Sequence, residues 1–209
     1  MSSNVKLGFG VGLLVLAVIV VIQSASVSTL PPLALDLHSQ VGHAMAVEVS
    51  HQLSGEGSVV IIKPEAPFDM PLVEAQLEAF RKELSSTKIK IVAEEVIRLE
   101  RLGSLDGMLT PSLFENVIAK YTAADAVVSF VGLGDFPKKK ERLPNTPALF
   151  VISPNVDVPW SLIDSKFVAA ALIPRWIETK ESTEQTIDVH TNDFSRKFEI
   201  VPATSESRP

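Results

Sequence analysis

The sequence predicts an α/β fold: an N-terminal transmembrane helix followed by a doubly wound, mostly parallel five-stranded sheet. Three observations predict it. Residues 7–22, LGFGVGLLVLAVIVVI, carry no charge; runs of consecutive β-branched residues recur downstream; and between those runs stand segments whose apolar residues return every three or four positions. Strands buried on both faces read as continuous apolar runs and helices lying on a sheet read as amphipathic, so their alternation implies parallel crossovers.

The apolar run exceeds the roughly 7–15 residues of a secretory h-region, and its uncharged continuation to Leu35 supplies the ~20 residues a bilayer needs. Residues 1–6 are therefore read as a cytoplasmic N-terminus, 7–28 as the transmembrane helix and 29–35 as a linker. Cleavage at Ser24-Ala25-Ser26, which would release a secreted protein, is the competing reading. Lys6 precedes the run and the next Lys or Arg is Lys63, so the positive-inside rule places the remainder on the periplasmic side. Gly8 and Gly12 form a small-xxx-small pair suited to helix packing. The run holds no ionisable side chain and thus no proton relay or ion path.

Residues 36–176 form the extracytoplasmic α/β domain. Leu37, Val41, Met45, Val49 and Leu53 mark one face of a first helix, which Gly55 and Gly57 end. A buried strand follows at 58–63. Val73, Leu77, Phe80 and Leu84 give the next helix face, and residues 88–96 a second strand whose alternation at Ile89 and Ile91 places it nearer a sheet edge. Thr110-Pro111 supplies an N-cap and a first-turn proline for a helix carrying Leu113, Phe114, Val117, Ile118 and Tyr121. Strands three, four and five are expected at 125–131, 147–153 and 167–173, with a helical turn from Trp160 to Asp164 between the last two. Between strands three and four a basic, proline-containing loop replaces the crossover helix. Residues 177–209 turn polar and read as a tail, interrupted by an edge-strand candidate at Phe198-Glu199-Ile200-Val201.

Composition removes whole classes of chemistry. The absence of cysteine excludes disulfides, thiolate metal sites and cysteine nucleophiles. A net charge of −6 argues against nucleic acid, because nothing in it builds a field that holds phosphates. There is no Gly-x-Ser-x-Gly, P-loop or His-Glu-x-x-His, and no catalytic residue, metal or cofactor is assigned. His38, His43 and His51 scatter around their helix instead of aligning as ligands one turn apart would.

Open α/β sheets bind ligands outside the carboxyl ends of their strands. The loop there after strand one carries Lys63, Glu65 and Asp69, a possible polar ligand site whose plainer reading is a solvated, proline-rich loop. Lys138, Lys139, Lys140 and Arg142 form a basic run fit for an anionic membrane surface or an acidic partner, or simply a solvated loop. Trp160 and Trp176, near strand ends, are interface candidates, with packing as the alternative.

The order of GEGSVVIIKP, KIKIVAEEV, DAVVSFVGLGD, PALFVISP and FVAAALIPR resembles one lobe of a type I periplasmic binding protein, over residues 36–175. Members of that family hold ligand between two lobes, and this chain has residues for one, so the resemblance implies a missing cleft. The expected function is accordingly a non-enzymatic, single-pass accessory or scaffold subunit of a respiratory, photosynthetic or transport complex. Its partners would be the lipid bilayer and other membrane subunits, with no small-molecule ligand expected. The alternative is a membrane-tethered solute-binding or sensory domain.

Overall fold

The structure, a computed structural model, describes residues 32–65, 69–98, 109–134, 136–137, 142, 145–153, 160–175 and 194–203. The expected transmembrane helix with Gly8 and Gly12, the lysines at 138, 139 and 140, and Trp176 lie outside the described residues. Among the described residues no helix is long and apolar enough to cross a membrane.

The elements run α1 (Pro32–Gln52), β1 (Glu56–Glu65), α2 (Pro71–Leu84), β2 (Lys88–Arg98), α3 (Pro111–Lys120), β3 (Ala126–Ser129), β4 (Ala148–Ile152), α4 (Trp160–Asp164), β5 (Val168–Pro174), α5 (Phe194–Lys197) and β6 (Phe198–Pro202). One sheet holds all six strands in the order β2-β1-β3-β4-β5-β6. The first five are parallel and β6 runs antiparallel to β5. Two expectations are corrected here. The sheet has six strands rather than five, because the segment read as tail returns to pair with β5, placing Val201 against Ala171 and burying it. The first helix starts at Pro32, inside the stretch read as linker, since proline lacks only a first-turn N–H that no helix uses.

Each face of the sheet is covered separately. On one, Val41, Met45 and Val49 of α1 and Leu77, Phe80 and Leu84 of α2 pack on Val59, Ile61, Val128, Phe150 and Leu172. On the other, Phe114 and Val117 of α3 and Leu162 and Ile163 of α4 pack on Val60, Ile62, Val127 and Leu149. Neighbouring strand residues thus point into different cores, which is why β1, β3 and β4 are apolar without alternation. Each such side chain contributes roughly 1.5–3 kcal/mol by leaving water.

Two local devices set the spacing. Gly42 lies where α1 crosses α2, and a Cβ there would stand 2.7 Å from the carbonyl carbon of Gln76 and closer still to its oxygen. The loop between β3 and β4 supplies Phe136, buried against Phe114 and Phe167 with ring centroids 6.3 and 5.5 Å away. That ring helps cover the sheet face where a crossover helix would otherwise lie.

Candidate functional site

Strand order locates the switch point of this fold. From β1 the chain crosses over α2 to β2 at one edge, then returns over α3 to β3 on the far side of β1. The connections leaving β1 and β3 therefore diverge at their carboxyl ends, the switch point at which doubly wound sheets take ligands.

The chain at that switch point is fixed by short bonds. Ser129, fully buried, donates its hydroxyl to the carbonyl of Gly132 at 2.9 Å and accepts the amide of Val131 at 3.4 Å. Gly132 turns the chain at φ 73°, a conformation costly for any residue with a Cβ. These contacts end β3 at Ser129, short of the expected residue 131. Phe130 donates its amide to Ile62 at 2.9 Å, and Gly134 donates to Leu109 at 2.8 Å, tying the loop to β1 and to the start of α3. Thr110 caps α3 as its sequence predicted, accepting the amide of Leu113 at 3.3 Å. α2 begins at the same edge without a side-chain cap at Met70. Its first amides thus lack a side-chain acceptor there.

The structure does not bring Lys63, Glu65 and Asp69 together as a site. Lys63 is bound to Glu94 at 2.7 Å, and Arg81 of α2 grips the same carboxylate through Nε at 2.9 Å and Nη2 at 3.0 Å. Burial alone would raise the Glu94 pKa, but the hydrogen bonds from Lys63 and Arg81 outweigh it and hold the carboxyl below its usual range. Glu65 pairs at 3.1 Å with Arg98, both exposed, and Asp69 is exposed. A second cluster joins β2 to α3. Glu95 accepts Lys120 at 2.7 Å and the Tyr121 hydroxyl. Those two bonds lower the Glu95 pKa, and the bonds from Glu95 and Tyr121 push Lys120 up to about 12.

Of the interface candidates, Arg142 donates Nε and Nη2 to the carbonyl of Thr146 at 2.9 and 2.7 Å, bracing its own loop. Trp160, the first residue of α4, is 42% exposed. His38 accepts a 2.6 Å bond from Gln76, and His43 meets Glu83 at 3.1 Å. Sequence reasoning missed the role of Ser129, although serine at a strand end is a turn-forming type.

An opening lies at the other end of the sheet. An open, polar groove of about 670 Å³ runs past Glu56 and Gly57 at the start of β1, Lys88 and Lys90 at the start of β2, and Asp125. Asp125 is committed there: its Oδ2 accepts the Ser58 amide at 2.8 Å and lies 2.8 Å from the Ser58 hydroxyl. We place the candidate site at the carboxyl edge and not in this groove, because mixed, exposed charges around a structural carboxylate offer no desolvated surface to a ligand.

No protein-family model and no curated protein sequence matches the chain. Solved structures do. An ABC transporter solute-binding protein from Burkholderia graminis, in complex with D-arabinose, is similar over 65% of this chain and 47% of its own, at 15% identity and a TM-score of 0.48. An arabinose-binding protein from Geobacillus stearothermophilus follows over 65% and 45%, at 14% identity and a TM-score of 0.46. A periplasmic solute-binding protein from Actinobacillus succinogenes with bound D-allose covers 65% and 47%, at 12% identity and 0.47. The resemblance to one periplasmic-binding lobe stands.

The chain spans about half the length of these proteins. The expectation of an accessory or scaffold subunit, for which no small molecule was foreseen, is corrected: the proteins sharing this lobe are sugar-binding proteins. Its physical premise was that one lobe leaves no place for a ligand. A single doubly wound sheet nonetheless keeps its switch point, here between β1 and β3.

Proposed function

We propose that this chain is a solute-binding domain whose site is the switch point at the carboxyl ends of β1 and β3. The observation that carries the reading is the reversal of strand order at that point, with β1 leading outward to β2 and β3 leading the other way to β4. The charged residue groups closest in sequence, Lys63 and Glu65, are committed to Glu94 and Arg98. Among the described residues the edge also offers backbone donors and acceptors, including the first amides of α2. Donors and acceptors side by side can serve a polyhydroxylated solute, whose hydroxyls both give and accept hydrogen bonds. No reaction is assigned, since Glu65 and Asp69 are exposed and not arranged around a common point. The uncharged run at residues 7–22, preceded by Lys6, supports an N-terminal membrane tether with the domain on the periplasmic side.

The test is a titration of the isotopically labelled full chain in detergent with D-arabinose, D-allose and other monosaccharides, followed by amide chemical shifts. Shifts at Val131, Gly132, Leu133 and Leu72 are expected. A sugar concentration of about 10 mM saturates even a weak site with a Kd of about 1 mM. Silence at those amides, or shifts confined to Gly57, Lys88 and Asp125, would sink the reading.

A further inference from the structure

The outer edge of β2 is open, and its length is unusual for an edge strand. β2 runs 11 residues, the longest strand of the sheet, and on its inner side it is satisfied by β1 from Glu56 to Glu65. Among the described residues no strand lies beside its outer side. Val92 and Val96 are exposed by 52% and 44%. Natural edges are kept short or covered, because unpaired N–H and C=O groups flanked by apolar side chains attract another strand. The strand is also polar in a directional way: Lys88 and Lys90 stand in its first half, Glu94 and Glu95 in its second.

We propose that β2 pairs antiparallel with β2 of a second copy of this chain, about a two-fold axis near Val92. That arrangement brings Lys88 and Lys90 of each copy alongside Glu94 and Glu95 of the other, whereas parallel pairing aligns cation with cation and acid with acid. Opposed unlike charges across strands stabilise a pair, and like charges directly opposite destabilise it. The benefit falls mainly on Glu95, because Glu94 already receives both Lys63 and Arg81, while Glu95 has Lys120 and Tyr121 on single bonds to one oxygen and keeps acceptor capacity on the other. The register shift between Val59 and Val60, opposite Val92, bends the strand at its centre and makes a long uniform partner a poor fit. A two-fold axis across the sheet points the carboxyl edges of the two copies in opposite directions. Pairing and solute binding therefore use different surfaces, so either can fail while the other persists.

The experiment is sedimentation velocity on the purified full chain in detergent, with circular dichroism as the control for folding. A reversible dimer is expected, since a contact limited to one strand falls below the size of permanent interfaces. Lys90→Glu and Glu95→Lys should each weaken the dimer several-fold, and the double variant should restore it by re-forming the pair in reversed sense. Val92→Pro should abolish it by removing a donor from the edge. A chain that stays monomeric, including one that instead takes up an added extended peptide, overturns the proposal. So does a dimer indifferent to Val92→Pro and Lys90→Glu, which would be held elsewhere, or a double variant without rescue.

Discussion

Gly42→Ala separates two opposed expectations by sign. Gly42 sits in the interior of α1, where replacing glycine by alanine should stabilise an isolated helix by about 1 kcal/mol. In the folded chain the new methyl would lie 2.7 Å from the carbonyl carbon of Gln76 and 2.9 Å from its Cα, with the carbonyl oxygen nearer still. These are backbone atoms of α2, so no rotamer change relieves the clash. α1 and α2 must move apart by more than an ångström, opening the layer formed by Val41, Met45, Leu77 and Phe80. Overpacking of this kind costs typically 1–3 kcal/mol and occasionally more. Because the atoms met are backbone, the upper end of that range applies, and with the helix gain of about 1 kcal/mol subtracted a net loss of about 2 kcal/mol is expected. Urea unfolding followed by circular dichroism reads it directly: at an m-value of about 2 kcal/mol per molar, the midpoint falls by about 1 M. A midpoint unchanged or raised would show that the helices do not meet at Gly42 and refute the argument.

Two further outcomes follow from the same packing. Thr110→Ala removes the acceptor for the Leu113 amide at the start of α3 and should cost about 1 kcal/mol, while Thr110→Ser should retain most of it; thermal melts compare the three. His38, lowered below its usual value of 6.5 by burial, binds fewer protons folded than unfolded between its two pKa values. Stability should therefore be complete above about pH 6.5 and decline as the pH falls from there towards the folded pKa. Chemical denaturation from about pH 7 to about pH 5 checks it, and His38→Asn, if it leaves that decline unaltered, assigns the loss to other groups.

The parts of the fold legible in sequence are those whose physics is local. Val59 to Ile62 and Leu149 to Ile152 had to be strands buried on both faces because no polar residue interrupts them, and Thr110-Pro111 announces a helix start by capping chemistry alone. The alternation of Ile89 and Ile91 correctly put β2 at the edge. What escaped depends on partners far along the chain. Gly42 reads as a weakness in a helix until Gln76 is placed against it, and Lys63 reads as a free loop cation until Glu94 and Arg81 close around it. β6 was visible only as a short apolar interruption in a polar stretch, because a peripheral strand buries one side chain well, Val201, and leaves little pattern behind. The candidate site was foreseen as an edge of the sheet but assigned to charged residues. The residues that shape it, Ser129 and Gly132, act through backbone geometry, which composition does not register.

The pairing of β6 with β5 also sets an order of events during synthesis. β6 spans Phe198–Pro202, and Phe198 reaches back to the ring of His38 with centroids 6.3 Å apart. The first helix and the last strand of the domain thus share a contact across some 160 residues of intervening chain. At roughly 5–20 residues per second, a nascent chain holds α1 and β1 for many seconds before that contact exists. Throughout this interval α1 lacks the aromatic stop at His38, and once β5 has been made its edge stays unpaired until β6 follows. The domain therefore completes its packing only after its final segment is released, and its vulnerability to proteases and to mispairing is concentrated in that waiting period.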